Sequence, residues 1–149
     1  MRIIISLIFL LVTLTSFSQR ISFEDPDLVF SFEKPKKWEV FDDGYVVKVS
    51  PSEKDTASTY FTITYFEDAE SFGFFPRTEP AINPHDIASP KINIDGEVAS
   101  LVEKKQDNSF LNTYTFQKYG QRFEIKTLAA SPKTKRIFRK IIRSLRITK

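Results

Sequence analysis

Tyr60-Phe61-Thr62-Ile63-Thr64-Tyr65-Phe66 is the stretch on which the fold turns. All seven residues are aromatic or β-branched, the types that fit a pleated, half-buried surface. It is the strongest strand signal in the chain. Upstream, Tyr45-Val46-Val47-Lys48-Val49 is also β-branched and ends at Ser50-Pro51, with a polar turn over residues 52–58 between the two runs. Residues 39–41 read as a short strand before the Asp42-Asp43-Gly44 turn. Earlier still, Leu28, Phe30 and Phe32 alternate with Val29 and Ser31, which is strand periodicity. Pro35-Lys36-Lys37-Trp38 interrupts it, because proline removes a ladder donor.

Downstream, residues 67–91 break the pattern. Pro76, Pro80, Pro84 and Pro90 exclude a long continuous helix and leave room only for short turns, at residues 67–72 or 84–88. Strands resume at 92–94 and 97–105 around an Asp95-Gly96 turn, and at 110–118 and 121–129 around Tyr119-Gly120. The chain then turns helical. Ser131 is placed to cap the helix, and Pro132 stands at its first position, where a missing N–H costs nothing. Ile137, Phe138, Ile141, Ile142 and Leu145 recur at helical spacing as one apolar stripe.

The first residues, MRIIISLIFLLVTLTSFSQ, read as a secretory signal peptide. Arg2 supplies the charged start, residues 3–14 the apolar run, and Ser16-Phe17-Ser18 a small-x-small cleavage site. The apolar run is shorter than the roughly 20 residues that a spanning helix needs, and its distal end is polar. Cleavage after Ser18 is therefore expected, with no transmembrane anchor afterwards. That divides the chain into a signal peptide (1–18), a leader (19–27) and a single domain (28–149). The remaining 131 residues suit one domain. With no cysteine there is no disulfide and no thiolate metal site. An exported protein without disulfides is expected in the bacterial periplasm or outside the cell.

Only Arg2 of the basic residues lies in the signal segment, so 21 basic residues face 19 acidic ones in the mature chain. A balance that close to neutral gives no case for nucleic acid. The distribution says more. After Glu124 there is no acidic residue, while nine lysines and arginines follow.

The order of elements is similar to a known family. The opening Phe30-Ser31-Phe32-Glu33-Lys34-Pro35-Lys36-Lys37-Trp38 leads to a strand pair, a variable middle and the Asp95-Gly96 hairpin. Tyr119-Gly120-Gln121-Arg122-Phe123-Glu124-Ile125 then runs through Ala129-Ala130-Ser131-Pro132 to the terminal Ile142-Arg143-Ser144-Leu145-Arg146-Ile147. Over residues 28–147 this resembles the PsbP-like family. That family is named for the extrinsic photosystem II protein and includes a Ran-binding nuclear import factor and bacterial exported proteins. The resemblance implies an α+β fold, an α/β/α sandwich whose antiparallel central sheet is flanked by helices, with a C-terminal amphipathic helix. It also implies a non-enzymatic accessory role, docking onto a protein partner in the cell envelope. The proline-rich middle departs from the family, where a helix is expected. No motif for Ran or photosystem contact is present.

Few groups suggest chemistry. His85 is the only histidine; with Asp86 beside it and Ser89 nearby it could serve an exported hydrolase or lyase, but it specifies neither a triad nor an oxyanion hole. A solvated loop histidine is the simpler reading. Asp42-Asp43, Glu24-Asp25-Asp27 and Glu67-Asp68-Glu70 lack the calcium-loop pattern and read as turn and edge acids. No metal, cofactor or catalytic residue is expected. Phe72, Phe74, Phe75 and Arg77 form the first candidate contact surface, either an exposed apolar patch or a loop clipped onto the sheet. The second is the basic helix face, Arg136, Arg139, Lys140 and Arg143, which could meet an acidic partner, anionic lipid or polymer, or simply form the wet side of the helix.

Overall fold

The structure, a computed structural model, describes residues 18–26, 28–44, 46–52, 58–67, 91–106 and 109–149. The elements in chain order are β1 (Ser18–Asp25), β2 (Leu28–Pro35), β3 (Glu39–Asp42), β4 (Val46–Ser50), β5 (Tyr60–Glu67), β6 (Ile92–Ile94), β7 (Glu97–Gln106), β8 (Ser109–Lys118), β9 (Gln121–Ala129), helix α1 (Pro132–Ser144) and β10 (Arg146–Thr148).

Two antiparallel sheets form. The larger has seven strands in the order β3-β4-β5-β9-β8-β7-β6, and the smaller has three, β1-β2-β10. Two hairpins of the large sheet turn on two residues each. Asp95 (φ 49°) with Gly96 (φ 89°), and Tyr119 (φ 52°) with Gly120 (φ 77°), put both loop positions at positive φ. That is the turn whose twist matches paired strands. The Asn93 Oδ1 accepts from the Gly96 N–H at 3.0 Å and steadies the first of them.

Registry fixes the faces. Phe61 pairs with Thr127, Ile63 with Ile125 and Tyr65 with Phe123; across β8, Tyr114 faces Ile125 and Phe116 faces Phe123. This face of the large sheet is buried, and the small sheet and α1 together cover it. Aromatic rings join the layers. Phe32 lies 5.4 Å from Phe61, Phe30 meets Tyr65 edge-on at 5.7 Å, and Phe138 of α1 lies between Phe61 (6.4 Å) and Trp38 (5.6 Å). Such pairs add to area burial, which supplies most of the drive.

The expected α/β/α sandwich flanked by helices is not what forms. Among the described residues there is one helix, and the fold is predominantly β. The layer opposite the large sheet is mostly another sheet, built from the two ends of the chain. The outer face of the large sheet brings Lys48, Thr62, Lys126, Thr113 and Val102 into one row and Val46, Thr64, Glu124 and Thr115 into the next. A helix laid there would meet charged and hydroxyl side chains at the centre of both rows, with a valine at one end of each. The C-terminal amphipathic helix does form where the apolar stripe placed it. Residues 19–27, expected as a leader, instead supply most of β1, which pairs with β2 along its whole length.

Candidate functional site

Helix α1 begins as its sequence dictates. The Ser131 Oγ accepts from the Thr134 N–H at 3.2 Å, with Pro132 at the first position. Its far end is sewn to the small sheet. The Ser144 Oγ accepts from the Glu33 N–H at 2.8 Å and donates to the Ile141 carbonyl at 2.7 Å. Beyond it, β10 pairs Arg146 with Ser31 and Ile147 with Phe30. Ser144 thus caps the β2 edge just past the point where strand pairing stops.

With Phe138, Ile141 and Ile142 buried beneath it, α1 turns Arg136, Arg139, Lys140 and Arg143 outward, all exposed. None of these four side chains forms an ion pair with a described residue. Other cations are engaged. Lys118 pairs with Asp95 (2.7 Å), Lys126 with Glu124 (2.6 Å), and Lys135 with Glu103 (3.1 Å) while lying 5.0 Å over the Phe110 ring. Lys133, one turn before Arg136, is likewise exposed without an ion-pair partner among the described residues, so the unpaired face runs along the helix.

Beside this face lies a cleft of about 460 Å³ between α1 and the end of β2. Ile137 and Ile141 line it from the helix, Glu33, Lys34 and Pro35 from the strand, with Lys140 and Ser18 completing the wall. Lys34 is unusual: only 6% exposed. Its Nζ donates to the Trp38 carbonyl at 2.6 Å and, more weakly, to the Pro35 carbonyl at 3.4 Å, closing the turn that Pro35 begins. No described carboxylate pairs with it, and burial lowers its pKa from the ordinary lysine value. The Lys34 ammonium is spent on that turn, which leaves Lys140 as the exposed cation at the cleft, beside an aliphatic wall of Ile137 and Ile141.

Near the other end of α1, Asn112 and Tyr114 are buried beneath the exposed Glu103. The Asn112 Nδ2 donates to Glu103 at 3.2 Å and to the Tyr114 hydroxyl at 3.4 Å, and burial raises the Tyr114 pKa. The Asn112 Oδ1 has no partner among the described residues.

The basic face singled out from the sequence is thus brought together on one side of α1. Phe72, Phe74, Phe75 and Arg77, and His85 with Asp86 and Ser89, lie outside the described residues. Among the described residues no group of three or more His, Cys, Asp or Glu could hold a metal, and no helix is long and apolar enough to cross a membrane. Sequence reading passed over Lys34 and Asn112. Both carry a signal that could have found them. Lys34 has the parity of Leu28, Phe30 and Phe32, and Asn112 that of Tyr114 and Phe116, so alternation alone puts each polar group on the buried face.

No family model matches the chain, and no curated protein matches it. Among solved structures, the chain is similar to a 1.50 Å crystal structure from Bacteroides thetaiotaomicron VPI-5482, with a TM-score of 0.54 and 12% sequence identity. The match covers 80% of this chain and 45% of that one, so the chain spans under half the length of the protein it resembles. At that identity the likeness shows the fold alone.

Proposed function

We propose that the chain is an exported, non-enzymatic accessory domain of the bacterial envelope that docks onto an acidic protein surface through the basic face of α1 and the adjoining cleft. One observation carries the reading: Arg136, Arg139, Lys140 and Arg143 are exposed together without an ion-pair partner among the described residues. Four such charges on one rigid helix steer and orient an acidic partner more than they stabilise the fold. The expected signal peptide supports the compartment. The resemblance to PsbP-like proteins implied a docking role, but its flanking helices are not what this chain forms, so the role rests on the basic face instead.

The test is cross-linking of the tagged chain in intact envelopes, followed by mass spectrometry. Changing Arg136, Arg139, Lys140 and Arg143 together to Gln leaves the fold within about 1 kcal/mol, because all four are exposed. One dominant acidic protein captured by the wild type, lost in the variant and weakened by moderate salt, is the expected result. Capture indifferent to both the substitutions and salt refutes the reading. Retention on anionic vesicles, lost with the same substitutions and with no protein captured, would transfer the face to lipid.

A further inference from the structure

A sheet edge is an invitation to another strand, and folded proteins close most of theirs. Three of the four edge strands here are short: β3 has four residues, β6 three and β10 three. The fourth, β1, has eight. Its pairing with β2 runs residue by residue from Ser18–Pro35 to Asp25–Leu28 without a bulge. It contains neither proline nor lysine, the usual edge protectors. Phe23 holds it rigidly in place, stacked on Phe30 at 5.0 Å and on Phe32 at 5.9 Å. Among the described residues no strand pairs with its outer edge.

The sequence of this edge is complementary to itself. Read antiparallel against a second copy with Ser22 on the two-fold axis, Arg20 stands opposite Glu24 and Glu24 opposite Arg20. Ile21 stands opposite Phe23, and Gln19 opposite Asp25. Parity is kept, so the exposed Arg20, Ser22 and Glu24 of both copies share one face. Ile21 and Phe23, half-buried in one copy, meet their counterparts on the other. Moving the axis by one residue in either direction loses both charge pairs. Centred on Ile21, Arg20 faces Ser22; centred on Phe23, Glu24 faces Ser22.

We propose that β1 is a homodimerisation edge, pairing antiparallel with β1 of a second copy about Ser22. The two small sheets then become one six-stranded sheet, β10-β2-β1 continued by β1-β2-β10 of the other copy. The interface is isologous, so each charge pair occurs twice. Edge pairing alone makes a small interface, and the dimer is concentration-dependent rather than obligate. Cleavage after Ser18 would leave residues 19–25, with Ser22 at their midpoint, but the register does not depend on the cut.

The test starts from the full chain expressed with its own N-terminal segment, the N-terminus of the purified protein being read by mass spectrometry. Sedimentation across about 1 μM to 1 mM measures the equilibrium. Arg20→Glu sets a carboxylate against Glu24 twice per dimer and is expected to weaken association roughly tenfold or more. Arg20→Glu with Glu24→Arg restores it. The restored dimer separates pairing between copies from the exposed Arg20–Glu33 contact (3.4 Å), because the carboxylate introduced at position 20 still faces Glu33 in the double variant. The absence of cysteine makes a second readout clean. Ser22→Cys is expected to be joined into a dimer by a short bifunctional thiol reagent, since facing Cβ atoms lie about 4.5–5.5 Å apart, just beyond a disulfide but within such a reagent's reach. Ser31→Cys, at the Ser22 neighbour on β2, is three strand spacings (about 14 Å) from its counterpart and stays unlinked. A monomer throughout the concentration range, a double variant no tighter than Arg20→Glu, or Ser31→Cys linking as fast as Ser22→Cys overturns the proposal.

Discussion

Replacing Asp95 with alanine removes one carboxylate and loosens three parts of the fold at once. Asp95 opens the β6–β7 turn, and its side chain is only 12% exposed. Its Oδ2 accepts from the Lys118 Nζ at 2.7 Å and from the Ile147 N–H at 2.8 Å. It thereby ties the hairpin to the end of β8 and to β10. In Asp95→Ala the Ile147 amide loses its acceptor, which costs about 1–3 kcal/mol for a buried donor. Breaking a buried ion pair by removing one partner costs about 3–5 kcal/mol. Here the cost is smaller, because the Lys118 Nζ keeps the Asp95 main-chain oxygen at 2.7 Å. Alanine at positive φ adds further strain. The expected loss is about 3 kcal/mol, a large share of the roughly 5–15 kcal/mol a domain has.

Urea denaturation measures that loss, and amide hydrogen exchange locates it. Exchange at Ile147 should accelerate more than exchange at Ile125, in the middle of the large sheet. Asp95→Asn tolerates the same backbone and keeps an oxygen for Ile147, so it should cost less than half as much. In a cycle with Lys118→Met, the two losses should fall short of additivity by about 1–2 kcal/mol. A cost below about 1 kcal/mol for Asp95→Ala, or unchanged exchange at Ile147, would refute the view that Asp95 holds the C-terminal strand.

Phe32→Ala empties a fully buried site where both sheets meet, and should cost about 3–5 kcal/mol in chemical denaturation with the same slope. Ser131→Ala removes the cap that Thr134 donates to, and should cost about 1 kcal/mol, while Ser131→Gly recovers most of it. Tyr65 donates to the Asp25 Oδ2 at 2.7 Å, and burial followed by the Asp25 charge raises its pKa from 10.0 to about 12. A raised folded-state pKa gives stability that is complete below pH 10 and lost as the pH climbs through about 12. Wild type should therefore lose about 1–2 kcal/mol across that window, allowing for the ring's partial exposure. Tyr65→Phe should show a correspondingly flatter profile in alkaline denaturation.

Strands β2 to β9 were legible because each carries a local signal. Leu28, Phe30 and Phe32 alternate, 60–66 is β-branched and aromatic throughout, and Asp95-Gly96 and Tyr119-Gly120 name their own turns. The helix announced itself through Ser131-Pro132 and its stripe. How these elements stack was not legible, since layering depends on contacts between distant residues. The sheet-to-sheet core rests on Phe30 meeting Tyr65 and Phe32 meeting Phe61, pairs that no window of sequence contains. β1 was missed because Ile21 and Phe23 give only two alternating apolar residues beside an apparent signal cleavage site. At the candidate site, the exposed arginines could be read from helical spacing. The buried Lys34 could not be read from residue type, because lysine is almost never fully buried and strand parity outweighed that preference here.

The small sheet has a consequence for how the molecule assembles. Its middle strand, β2, takes β1 from the residues just before it and β10 from more than a hundred residues later. The Ser144 cap on Glu33 spans 111 residues and the Ile147–Asp95 bond 52. Closing loops of that length brings no reward until the last strand arrives, so the cover over the large sheet forms late. Until then Phe30, Phe32 and Phe61 have only part of their packing. Removing residues 146–149 should therefore do more than shorten a tail. It unpairs β2 on one side and leaves Asp95 and Lys118 without the strand they anchor. The truncated chain should keep the strand signal of the large sheet in circular dichroism while losing slow exchange at Val29 and Ser31, the β2 amides that face β10. Slow exchange at those amides in the truncated chain would mean that β1 and α1 alone suffice to close the core.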